Sequence, residues 1–97
     1  MSTDEHLRQL EWQLEHLSRF TSLPQAKHLV RYYMDLARAF GWPEELETQA
    51  LAVESAVLAF VKDGAIQQSA AGRTMYSQLA QLKRMASEFE GQRRPNA

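Results

Sequence analysis

Leu7, Leu10, Leu14 and Leu17 follow one another at steps of three, four and three residues. Only a helix of about 3.6 residues per turn brings such a series onto one side. In a strand, where side chains alternate, the row would be split between two faces. The same spacing recurs along the chain. A second segment carries Ala26, Leu29, Val30, Tyr33, Leu36, Ala37 and Phe40, a third Leu46, Ala50, Val53, Val57, Phe60 and Val61, and a fourth Met75, Leu79, Leu82, Ala86 and Phe89. A lone apolar stripe has to be covered by another. The expected fold class is therefore all-α, a small four-helix and mostly antiparallel bundle. A bundle completed by dimerisation is the alternative.

Start and stop signals divide the pattern. Helix 1 is expected over about residues 3–20, with Ser2 and Glu5 at capping-box spacing. Helix 2 is expected over about 23–40, with Ser22 and Gln25 repeating that spacing and Pro24 in a tolerant first turn. Gly41 is placed to take the left-handed conformation that ends it. Helix 3 is expected over about 43–62, opened by Pro43, Glu44 and Glu45 and closed by Asp63-Gly64. Helix 4 is expected over about 70–90, ending at Gly91. Residues 65–69 are ambiguous. A hairpin about Asp63-Gly64 is rejected because the flanks do not alternate. Residues 1–91 read as a single helical domain and residues 92–97 as a polar, basic, disordered tail.

Charge alternates by segment: −2 for residues 1–21, +2 for 22–41, −4 for 42–64 and +3 for 65–97. Opposite signs on successive helices favour their pairing as neighbours. The favourable i,i+4 pairs on helix 1 are Asp4–Arg8 and Glu15–Arg19. The whole chain carries −1, which exerts no global pull on nucleic acid or an anionic membrane. No apolar run reaches the roughly 18 residues of a membrane span. The N-terminus is acidic, unlike a secretory signal. A cytoplasmic protein that does not engage membranes is expected.

Several chemistries lack their residues. There is no cysteine for a disulfide, a thiolate zinc ligand or a thiol nucleophile. His6, His16 and His28 are not spaced for a helical metal site, and they read as solvent-facing. No Gly-rich phosphate loop and no nucleophile elbow occurs. No enzyme activity, cofactor or metal is expected. A nucleic-acid-associated regulator using the basic C-terminal region (Arg73, Lys83, Arg84, Arg93, Arg94) is the alternative reading. It is disfavoured, because helix 3 has the wrong charge and helix 4 carries few cations for its length.

Two constellations remain. Trp12 projects opposite the leucine row, with Arg8, His16 and Arg19 as helical neighbours. Trp and Arg are enriched at binding hot spots, so these four residues form the expected partner-binding surface. A surface indole covered by the stem of Arg8 is the plainer reading. Leu51 and Leu58 stand a heptad apart with Glu54 between them. They are either a second core stripe or the seam of a homodimer. Trp42 is expected to plug the corner between helices 2 and 3. The expected function is that of a non-catalytic regulatory or adaptor protein that binds another protein, in the manner of an anti-activator, a secretion-type chaperone or an immunity-like inhibitor. It is expected to be a homodimer as well.

Overall fold

A computed structural model describes residues 3–38 and 41–93, of Arg93 the backbone only. Ser2, Phe40 and the tail residues 94–97, on which parts of the capping, stripe and tail expectations rest, lie outside the described residues. Four helices are present: α1 (Thr3–Glu15), α2 (Leu23–Ala37), α3 (Glu44–Lys62) and α4 (Ala70–Arg93). No strand occurs among the described residues. Each helix packs on the next, and α4 closes the ring on α1. The α3–α4 contact is the most extensive of the four and α1–α4 the least. The cross-links have antiparallel register. Thr3 at the start of α1 donates its hydroxyl to the Ala37 carbonyl at the end of α2. Arg38, which caps α2, and Arg31 within α2 meet Glu47 and Glu54 of α3 in reversed order.

The four apolar rows converge. Leu7, Leu10 and Leu14 of α1, Val30 of α2, Val53, Val57 and Phe60 of α3, and Met75, Leu79 and Leu82 of α4 are wholly inaccessible to solvent. Charge alternation appears as contact: α2 cations pair with α3 carboxylates, and Lys83 of α4 reaches Glu11 of α1 at 3.1 Å. The capping box at the start of α2 is formed in both directions, Ser22 Oγ accepting from Gln25 N and Gln25 Oε1 from Ser22 N. Gly41 takes φ +82°, the left-handed conformation expected there.

Three boundaries differ from the sequence reading. Helix α1 stops at Glu15, not near residue 20. His16 and Leu17 make tighter bonds to carbonyls three residues back, after which Ser18 and Thr21 bond their own loop backbone. Such local side-chain bonds compete with helix extension. Leu17 therefore packs on the core from outside the helix, and Glu15 and Arg19 no longer share a helical face. Helix α2 ends at Ala37, with Arg38 as its cap. Helix α4 runs through Gly91 to Arg93. A glycine at an exposed helical position costs only about 1 kcal/mol, too little to stop a helix by itself.

Residues 63–69 form a connection rather than a hairpin. The Ala65 N–H returns to the Phe60 carbonyl at 2.9 Å, with Ala65 itself at φ +58°. Helix α4 then crosses close over this connection at Gly72. A Cβ there would lie 2.4 Å from the Gln67 carbonyl oxygen, so glycine is the residue that fits.

Candidate protein-binding surface

Helix α1 is anchored by one side and displays the other. Its core side is Leu7, Leu10 and Leu14, with Thr3 and His6 also buried. The burial of His6 corrects the expectation of three solvent-facing histidines; His16 and His28 are exposed. His6 flanks the leucine row, and its Nδ1 lacks a hydrogen-bond partner. Among the described residues no group of three or more potential metal ligands assembles.

Trp12 lies on the opposite side, 57% exposed. Its indole stacks on the His16 ring, centroids 4.1 Å apart and planes tilted by 35°. His16 Nδ1 is 2.7 Å from the Trp12 carbonyl. A carbonyl only accepts, so Nδ1 carries the proton in this bond. The pair is thus held as a unit on the last turn of α1. Arg8 turns the other way, forming an ion pair with Asp4 at 2.7 Å, and lines a shallow depression with Glu5, Gln9 and Trp12. Arg19 lies beyond the end of α1, its guanidinium 4.9 Å from the centroid of the Phe20 ring. Of the four expected partner-binding residues, then, Trp12 and His16 touch, Arg8 borders the same depression, and Arg19 belongs to the following loop.

The last turn of α1 is secured from across the bundle. Gln67 Nε2 donates to the carbonyls of Leu14 and Glu15 at 3.4 and 3.3 Å, while its Oε1 accepts from the Tyr76 hydroxyl. Two carbonyls that the end of the helix would leave free are thereby satisfied. Burial raises the pKa of Tyr76, and the nearby charges of Glu15 and Glu11 add to that; the bond to Gln67 opposes it.

Further apolar groups stand outside the core. Tyr32 and Leu36, one turn apart on the outer flank of α2, are exposed, as are Phe20 and Ile66 in the two connections at the α1 C-terminal end. Leu36 belongs to the apolar arc of α2, which is wider than the neighbouring helices cover. Phe20 and Ile66 were missed. The available sign was an aromatic or aliphatic residue in a segment without helical period, in Ser18-Arg19-Phe20-Thr21-Ser22 and in Gly64-Ala65-Ile66-Gln67.

The expected dimer seam divides. Leu51 is 64% exposed, beside Arg31, Asp35 and Arg38 at the α2–α3 groove. Leu58 is half-buried against the core, and Glu54 is engaged by Arg31 at 3.3 Å. In the basic C-terminal region Lys83 is paired with Glu11, whereas Arg73 and Arg84 are exposed on α4.

No family model, curated protein or solved structure matches this chain. Among the described residues no helix is long and apolar enough to cross a membrane.

Proposed function

We propose that this protein is a non-catalytic regulatory or adaptor module that acts by binding another protein through the outer face of α1. The observation carrying this reading is Trp12, a large apolar side chain held in a defined orientation by His16 yet outside the core. Burying an indole stabilises a complex strongly, and its stacking on His16 reduces the freedom lost on binding. Arg8, paired with Asp4, and His16 border the indole with polar groups that suit the rim of an apolar partner groove. Steric occlusion of that partner, as by an anti-activator, a secretion chaperone or an immunity-type inhibitor, is the mechanism. To test it, the protein retained by the immobilised full chain from native lysate is identified and its affinity remeasured. Trp12→Ala is expected to weaken binding by at least about 2 kcal/mol, roughly 30-fold, with unchanged helical content. Unaltered affinity would refute the assignment.

Leu51 supports a second reading, self-association across the α2–α3 groove, because it is exposed and makes no part of the core. Native mass spectrometry of the parent and of Leu51→Glu tests this. A dimer that the substitution converts to a folded monomer supports it, and a parent that is monomeric at high concentration refutes it.

A further inference from the structure

Both connections at the C-terminal end of α1 carry a protruding apolar side chain. Phe20 in the α1–α2 connection is 80% exposed and Ile66 in the α3–α4 connection 58% exposed. Neither packs on the core. At the same end of the bundle stand Arg19, Lys27 in the second turn of α2, Lys62 at the end of α3 and Arg73 in the first turn of α4, all exposed. No ion pair engages these four among the described residues: Arg19 lies over Phe20, and Arg73 reaches the Gln68 carbonyl. Elsewhere, Arg8, Arg31, Arg38 and Lys83 are each neutralised by a carboxylate, and Arg84 bonds to Gln81. The carboxylates at the loop end are Glu15 and Asp63, so four cations face two acids there. The chain's net charge of −1 conceals this local excess, because acids gather at the opposite end, as in Glu44, Glu45 and Glu47 of α3.

We propose that this end of the bundle docks on an anionic lipid surface, with Phe20 and Ile66 entering the boundary between headgroups and acyl chains and the four cations meeting the phosphates. The geometry favours lipid over a protein groove. The apolar groups sit on two separate loops rather than on one continuous helix face, and a fluid interface closes around both without preformed complementarity. The cations flank the apolar groups, where they remain hydrated at headgroup depth while the two side chains go deeper. A spanning helix is not needed for such docking. Net charge and the missing span, from which the sequence reading expects no membrane contact, do not describe how charge is distributed at this one end.

The test is co-sedimentation of the full chain with phosphatidylcholine vesicles, with and without about 30% phosphatidylglycerol, at low and high salt. Binding to the anionic vesicles is expected at low salt, about tenfold weaker on phosphatidylcholine alone and largely lost at high salt. Phe20→Ser combined with Ile66→Ser, and separately Lys27→Glu combined with Lys62→Glu, should each lower the partition by about tenfold or more while keeping the helical circular dichroism spectrum. Absence of binding to anionic vesicles would overturn the proposal. So would equal binding by the parent and both double variants. Capture on polyglutamate as tight as on vesicles, and indifferent to Phe20 and Ile66, would assign this end to an acidic polypeptide instead.

Discussion

The two ends of the bundle use the same residue types differently. At one end Trp42 is half-buried against the core, with the Arg38 guanidinium 5.6 Å from its ring centroid. That guanidinium also bonds Asp35 and Glu47, the latter at 2.8 Å. Thr3 at the same end bonds both Ala37 and Glu90. At the other end Trp12 is stacked on His16 in the open, and Arg19 covers an equally open Phe20. A guanidinium over an aromatic ring is thus structural where it is ion-paired and the ring reaches the core, and both groups stay exposed where neither holds.

The largest expected effect tests whether the open end is well anchored. Leu14, wholly buried beneath the last turn of α1, should cost about 2–5 kcal/mol when changed to alanine. Thermal and urea denaturation measure this. A midpoint equal to the parent's would mean that α1 is not docked at this end.

Next comes the pair of tryptophans. Trp42→Ala should destabilise by about 1–3 kcal/mol, since its ring is only partly buried. Trp12→Ala should remain within about 0.5 kcal/mol of the parent, as expected for a surface substitution. With Trp42→Phe isolating the other indole, Trp12 should emit at long wavelength and be quenched readily by iodide. Equal stability losses for the two alanine variants would erase the distinction between the ends.

The smallest effect concerns the link that holds the last turn of α1. The raised pKa of Tyr76 means that the folded chain keeps this proton at pH values where the unfolded chain, titrating near pH 10, has lost it. The folded state then binds more protons, so stability falls as pH rises through about 10 and above. Tyr76→Phe should remove that alkaline slope and, by releasing Gln67, cost about 1 kcal/mol at neutral pH. Urea denaturation at neutral and alkaline pH reads both quantities.

The helical period made the core readable. Leu7, Leu10 and Leu14, the stripe of α3 from Leu46 to Val61, and the face of α4 from Met75 to Ala86 are buried as their spacing requires. The outward side of Trp12 followed from the same projection. What escaped were properties set by partners far away in sequence. The end of α1 depends on loop bonds around Ser18 and Thr21 and on Gln67, and periodicity carries neither. His6 is polar by type, yet it lies close enough to the leucine row to be enclosed. Arg19 leaves the Trp12 face because the helix stops four residues before it. The loop end's charge excess was invisible in segment totals, since it depends on which cations find carboxylates across the helices.

Gln67 has a consequence for the order of assembly. The carbonyls it caps lie 53 and 52 positions earlier in the chain. When the α1–α2 hairpin first emerges during synthesis, the residue that finishes α1 has not been made, and neither has Lys83, 72 positions beyond its partner Glu11. Closing such loops costs entropy that nearest-neighbour helix contacts avoid. The α3–α4 hairpin has the most extensive packing and a short connection, both local in the sequence. The bonds that finish α1 and tie it to α4 can therefore form only after Gln67 and Lys83 have been made, well after the α1 segment itself.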